Sequence, residues 1–226
     1  MTELQPWSVT AVNLPEHAEN PIHTDAGAVA AGFPGALVAG ATVYAYLTHV
    51  PMAAWGLDWL SSGGAEVRFS SPVMDGALVD CVPVDGVVEA RADAVLKARC
   101  AVTRTAPTFE IRAGDRLNPI EFIADESWSD YGVRAGDDTH LAGRDDLLHP
   151  ASWMRVANQF FHEQLVNGSW IHVRSGVTHR GVARIGSTVY AEAVVVDRFD
   201  SRAGKRAIAH VRITADGEPV ADYEHE

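Results

Sequence analysis

Asn20-Pro21-Ile22-His23-Thr24-Asp25, followed by Gly32-Phe33-Pro34-Gly35-Ala36-Leu37-Val38-Ala39-Gly40, sets one imidazole a short way upstream of a glycine-rich helix start. A helix N-terminus leaves backbone N–H groups without intrahelical partners and carries the positive end of the helix dipole. Gly40, with no side chain to obstruct approach, lets those groups donate to a carbonyl, and donors fixed there stabilise an enolate or a tetrahedral oxyanion equally well. The same stretch predicts a helix over 37–54, with Val38, Thr42, Ala45, Leu47 and Met52 turned to a sheet and Gly56 near its stop.

Beyond that helix the apolar and polar residues alternate, which predicts strands over 66–69, 77–83, 87–94 and 96–103, with Asp85-Gly86 supplying turn chemistry. A second copy of this order follows. An offset of 110 carries Val67 to Gly76 onto Val177 to Gly186, Gly40 onto Pro150, and Val9 to Asn13 onto Pro119 to Ile123. The second half therefore reads as a helix over 152–166 and strands over 171–182, 188–199, 205–214 and 220–224. The stretch 106–118 reads as the linker between halves 1–105 and 119–226, and 125–146 as a polar, glycine-containing surface crossover. Because neither half covers its own apolar face or its edge, the two sheets are expected to join edge to edge with both helices on one side.

Composition narrows the partners. A formal charge of -12 excludes the basic face that nucleic acid or an anionic membrane requires, and 47% hydrophobic residues allow a sizeable core. No charged-then-apolar leader opens the chain, and no apolar run approaches the roughly eighteen residues of a membrane span. A cytoplasmic protein acting on a small molecule is expected. Cys81 and Cys100 lie in strand-like segments without metal or redox spacing, and read as buried free thiols.

The opening stretch resembles the hydratase motif of the MaoC-like hotdog-fold enzymes, D-x-N-P-x-H-x-D followed by G-F and a small-residue helix start ending in H-G. The resemblance implies an α+β double hotdog, with two tandem hotdog halves, one continuous antiparallel sheet and two long helices. It also implies that coenzyme A or a carrier protein delivers an acyl thioester as substrate, with no resident cofactor, and that a homodimer is the expected assembly. His23 matches the family's histidine, and Asn20 and Asp25 match the flanking positions. Ala18 stands where the family has its catalytic aspartate, and Ala39 stands before the last glycine in place of histidine.

Loss of the paired carboxylate bears hardest on hydration, for which Glu16 or Glu19 would have to replace Ala18. Hydrolysis asks for a polarised carbonyl and one group to activate water. The reading is therefore a thioesterase with a divergent site, with an enoyl-thioester hydratase or dehydratase and a non-catalytic acyl-thioester binding protein as alternatives. His23, Asn20 and Gly40 are the catalytic candidates, with Glu19, Asp25, Tyr44, Thr48 and Asn158 as helpers; Thr48 and Asn158 stand where hotdog thioesterases carry an acidic residue. Asp25 also reads as the N-cap of a short helix over 26–31, and Gly40 also reads as a close-packing glycine. Arg68 and Arg180, with Arg184, Arg202, Lys205 and Arg206, are candidates for the substrate's phosphates. Trp55, Trp59, Trp153 and Phe160 suggest an apolar acyl pocket or, equally, core packing. The offset places Val133 opposite His23, so one site per chain is expected. His140, His149, His162, His172 and His179 show no H-x-x-x-H pair, and no metal site is expected.

Overall fold

The computed structural model describes residues 3–106, 108–139, 141 and 146–226. The first half begins with β1 (Trp7–Thr10) and two 3-10 turns, Pro15–His17 and Pro21–His23. Each turn opens on a proline, whose fixed φ suits a first helical position and whose missing N–H would be unpaired there anyway. Then come α1 (Asp25–Ala30), α2 (Gly40–Ser62), β2 (Gly64–Phe69), β3 (Leu78–Val84), β4 (Val87–Ala92) and β5 (Val95–Thr103). The helix expected over 37–54 starts later because Leu37 is bridged to Met74 and Ala39 is extended. Gly56, at φ 62° and ψ -149°, breaks the helical path where its stop is expected, and a further helical stretch carries the element on to Ser62. Every residue from Ala41 to Met52 is buried, so α2 is a core helix rather than a surface helix with one apolar stripe. Asp85 and Gly86 both take positive φ in a two-residue hairpin turn, as their sequence predicts.

The second half contains β6 (Asp115–Arg116), β7 (Ile120–Ile123), α3 (Glu126–Ser129), α4 (Tyr131–Arg134) and α5 (Ala151–Phe160), which continues through a wider π turn at Phe161–Leu165. It closes with β8 (Arg174–His179), β9 (Thr188–Ser201), β10 (Gly204–Ala215) and β11 (Glu218–His225). One antiparallel sheet runs β1-β3-β4-β5-β2-β8-β11-β10-β9-β6, with β7 also on β9. The joint is β2 against β8. There Glu66 faces Gly176, its own counterpart 110 residues on, while Gly64 faces Thr178 and Arg68 faces Arg174. The halves are thus related by a local twofold through that pair, and two sheet edges vanish in the joint.

In two segments the described residues form more regular structure than their sequence suggests. The 106–118 stretch lies against the sheet, with Ala106 N–H donating to Ser62 and β6 paired to β9. The 125–146 stretch carries α3 and α4 and buries Tyr131 and Asp137, the latter 2.9 Å from His49 Nδ1. The repeat offset also changes along the chain. It holds to the start of β9, but β9 and β10 are 14 and 12 residues where β3 and β4 are 7 and 6. The partner of β8, β11, is accordingly displaced further than 110 from β5, the partner of β2.

Both helices lie on the same face of the sheet. Tyr44 of α2 reaches His179, and Tyr223 donates to the Pro150 carbonyl at the head of α5; His179 and Tyr223 point from neighbouring strands to that same face. Trp59, 1% exposed, packs on His179 and donates to Thr103, and Trp153 and Phe160 are equally buried, so these aromatics form the core and not an acyl pocket. Trp55 is half-buried beneath Arg104. Cys81 and Cys100 are free and buried, and burial pushes the Cys81 thiol up to about 12. No helix among the described residues is long and apolar enough to cross a membrane.

Trp59→Ala should lower the unfolding free energy by about 3–5 kcal/mol in urea titrations, the range for truncating a large buried aromatic. A loss below about 1 kcal/mol, the size of a routine surface change, would place Trp59 outside the core. His149, His172, His179 and His225 are also buried. Desolvation brings His149 to about 4, His172 and His179 to about 3, and His225 well below its ordinary value. Unfolded histidine takes its proton near pH 6.5. The unfolded chain therefore holds more protons between pH 6.5 and about 4, and stability present above 6.5 is lost as the pH falls through that window. The urea midpoint should drop steeply from pH 6.5 to 4.5; a flat profile would show that these histidines titrate normally in the folded protein.

Candidate active site

Asn20 opens the second 3-10 turn and accepts from Ile22 N–H at 3.4 Å. Its amide also donates to the Trp170 carbonyl at 2.9 Å and accepts from Trp170 N–H at 3.3 Å, so it lashes the turn to a segment 150 residues away. Asn20 thus fixes the motif turn against the second half and also lines the cavity beside His23. Thr24, not Asp25, caps α1 by accepting from Gly27 N–H. Gly27 must be glycine because a Cβ there would run into the Pro21 carbonyl. Asp25 accepts from Ala36 N–H at 3.0 Å and holds the loop entering α2.

His23 is fixed on both sides. Its Nδ1 lies 2.8 Å from the Leu37 carbonyl, Leu37 N–H donates to Ile22, and Asn13 donates to the His23 carbonyl. A carbonyl can only accept, so Nδ1 carries the proton and Nε2 keeps its lone pair. Burial lowers the pKa of His23, and the Leu37 bond opposes that in part. The ring is a neutral imidazole with its basic nitrogen free.

His23 lines a cavity of about 390 Å³ that is open on one side and largely apolar. Asn20, Leu37 and Gly40 come to it from the first half, and Asn158, Trp170 and His172 from the second. No side chain caps α2, whose first residue, Gly40, lines this wall. A Cβ at Gly40 would stand 2.9 Å from His172 Nδ1 and 3.4 Å from Phe69 Cζ, so this glycine is required for close packing with the histidine. His172 Nε2 meets Ser175 Oγ at 2.9 Å, which in turn meets His225 Nδ1 at 2.7 Å, a buried polar chain leading from the cavity into the core. Among the described residues, three buried atoms around the cavity have no hydrogen-bond partner: His172 Nδ1, Asn158 Oδ1 and Trp170 Nε1. Such atoms are uncommon and cost about 1–3 kcal/mol each, which makes this wall able to receive polar groups of a ligand.

A second, more polar cavity of about 320 Å³ shares Asn20, His23, Asn158 and Trp170 and adds Glu16, His17, Glu19 and Arg155. Among the described residues no carboxylate pairs with His23. Glu16 is held by Arg134 at 2.7 Å, and Glu19 is exposed beside His162. His17 approaches instead, its ring centroid 5.8 Å from that of His23. Its Nε2 lies 3.1 Å from Tyr131 Oη and 3.2 Å from Thr42 Oγ1, and burial lowers its pKa to about 3.

Other sequence candidates lie elsewhere. Tyr44 and Thr48 face the core, Tyr44 toward His179 and Thr48 bonded back to the Ala45 carbonyl, and neither lines these cavities. Arg68 is exposed on β2, and Arg180 is bound to Asp222 at 2.8 Å; Arg206, held by Glu226, is the arginine at the mouth of the first cavity. The head of α5 is closed by His149, whose Nδ1 accepts from Ala151 N–H, and Val133, opposite His23 in the repeat, sits in α4. His140 lies outside the described residues, and among those described no three side chains gather to hold a metal ion. His172, Trp170 and Arg155, which the sequence motif does not include, come to these cavities from the other half.

No family model matches the chain, and no curated protein is detectably similar to it in sequence. Solved structures are similar over its whole length. A conserved hypothetical protein of Mycobacterium tuberculosis, described as a double hotdog, is 12% identical over 100% of this chain and 96% of its own, with a TM-score of 0.67. A protein described as a MaoC domain dehydratase from Chloroflexus aurantiacus is 12% identical over 100% of this chain and 94% of its own, with a TM-score of 0.65. One described as an oleoyl thioesterase from Lactobacillus plantarum is 10% identical over 99% and 95%, with a TM-score of 0.58. Together with the continuous sheet, the β2–β8 joint and the two helices on one face, these likenesses establish that the chain has the double hotdog fold.

Proposed function

We propose that the protein hydrolyses acyl thioesters at the cavity beside His23. The observation that carries this reading is the fixed tautomer of His23, with Nδ1–H on the Leu37 carbonyl and Nε2 free. Water attacks the thioester carbonyl, its proton passes to His23 Nε2, and the carbonyl oxygen, now an oxyanion, is stabilised by the N–H groups at the start of α2. Collapse breaks the carbon–sulfur bond, and the imidazolium returns the proton to the departing thiolate. The reaction needs one base and no paired carboxylate, which agrees with Ala18 and with Glu16 being engaged by Arg134. The similar structures described as thioesterase and as dehydratase point to the same class of substrate. A coenzyme A or carrier-protein thioester, with no resident cofactor, is part of this proposal.

Hydration of a 2-enoyl thioester is the second reading, favoured by His17. This second imidazole, beside the hydroxyls of Thr42 and Tyr131, stands next to the position that the family gives to its aspartate. A panel of saturated and 2-enoyl thioesters separates the two, because hydrolysis releases thiol and hydration removes enoyl absorbance. Thiol release from saturated substrates is expected; enoyl loss without thiol would select hydration.

His23→Ala should cut turnover by about 10²–10⁴-fold with the fold intact by circular dichroism, and His23→Asn should do the same, since an amide orients water but cannot take its proton. Because burial lowers the His23 pKa, the wild-type rate should stay level as the pH falls from 7 through 6.5 and decline below that. Near-normal turnover in folded His23→Ala would remove His23 from the chemistry.

A further inference from the structure

Arg155 on α5 is a largely buried cation. In a chain with 30 acidic residues, Arg134, Arg174, Arg180, Arg206 and Arg212 each meet a carboxylate at 2.6–2.8 Å. Arg155 meets none among the described residues. Its guanidinium lies 4.2 Å from the ring centre of Trp128 and 4.9 Å from that of Tyr131, and its Nη1 is buried with no hydrogen-bond partner. Aromatic faces offset part of the cost of burying a cation but satisfy none of its N–H groups in the plane of the fork. A guanidinium stays charged in a protein, so this is a desolvated positive charge with free donors.

Arg155 lines the polar cavity, which it shares with His23, Asn158 and Trp170. The acids nearest this arginine are otherwise disposed, Glu16 on Arg134 and Glu19 in solvent. A planar fork of donors beside a polar cavity matches a carboxylate, which it can hold by two parallel hydrogen bonds. We propose that the polar cavity receives a carboxylate on the acyl group of the substrate, bound by Arg155, so that the protein selects short dicarboxylic acyl thioesters over uncharged ones. This rests on the thioester reading above. With the thioester carbonyl beside His23 in the apolar cavity, the acyl chain crosses past Asn158 and Trp170 and places its far end at Arg155.

Two measurements test it. Glutaryl-coenzyme A and its monomethyl ester, which differ in the charge of the far end, are compared in kcat/KM for the wild type, Arg155→Met and Arg155→Lys. The wild type should prefer the free carboxylate by about tenfold or more, the scale of charge-assisted hydrogen bonds. Arg155→Met should collapse that ratio toward one, and Arg155→Lys should leave an intermediate preference. Equal handling of the two thioesters by the wild type would overturn the proposal. So would an Arg155→Met protein slowed equally on both, which would place the arginine at the carbonyl. If Arg155→Met does not fold, the wild-type ratio and the lysine variant decide.

Calorimetric titration of the intact protein with free glutarate stands apart from turnover. Binding that Arg155→Met abolishes supports the anion site even if no thioester is cleaved, an outcome that would defeat the proposed function alone. Glutarate that does not bind the wild type overturns the carboxylate site itself.

Discussion

The backbone pairing of β2 with β8 is the interaction on which the rest of the molecule depends. Glu66 facing Gly176 puts a local twofold through the joint, and every other spatial relation between the halves follows from it. With the edges closed, α2 and α5 share one face of a single sheet, and the N-terminus of α2 is brought against the segment that leads into β8. His172 lies two residues before β8, and Trp170 four before it, so the joint delivers second-half side chains to the first half's motif. The amide of Asn20, bonded to both polar groups of the Trp170 backbone, then fixes the motif loop against that segment. The site is a product of the interface between repeats and belongs to neither half.

This asymmetry explains why one helix start is open and the other closed. The head of α2 has no capping side chain and faces a cavity, whereas the head of α5 is sealed by His149 and by Tyr223 on the Pro150 carbonyl. Duplication supplied two equivalent positions, and the loop sequences decide which can receive a ligand. Around the open one, the neutral histidines His17, His23 and His172 and the cation Arg155 produce a wall of donors and acceptors, while of the two carboxylates on the polar cavity Glu16 is neutralised by Arg134 and Glu19 lies in solvent. That suits an electron-rich carbonyl and an anionic end group better than it suits a metal ion.

Much of the architecture was legible because alternation and helical runs recur at a fixed offset, and strands that pair across a local twofold must keep that offset, as β2 and β8 do. The long β9–β10 hairpin is legible as strands over 188–199 and 205–214, but extra residues in a hairpin preserve alternation while shifting everything after them, so the fixed offset ends there. His23 and Gly40 were legible as a loop and a helix start close in sequence. Tyr44 and Thr48 are not placed by their spacing, which tells which residues of a helix share a face and not which face meets the cavity, and α2 is buried at every position from Ala41 to Met52. Trp59 and Trp153 misled for the related reason that large aromatics serve core and pocket alike. Trp170, His172 and Arg155 gave no local signal, because their meaning arises when two segments far apart in sequence meet.

The protonation state of His23 at rest ties these observations together, since the Leu37 carbonyl, the burial and the free Nε2 all lead to one chemical species. Nitrogen-15 chemical shifts of the His23 ring, recorded across pH and assigned by comparison with His23→Asn, read that species directly. A neutral ring protonated at Nδ1 at pH 7, with a pKa below 6.5, is the predicted result. A ring protonated at Nε2, or an imidazolium at pH 7, would contradict it, because the nitrogen facing the cavity would then have no lone pair with which to take a proton from water.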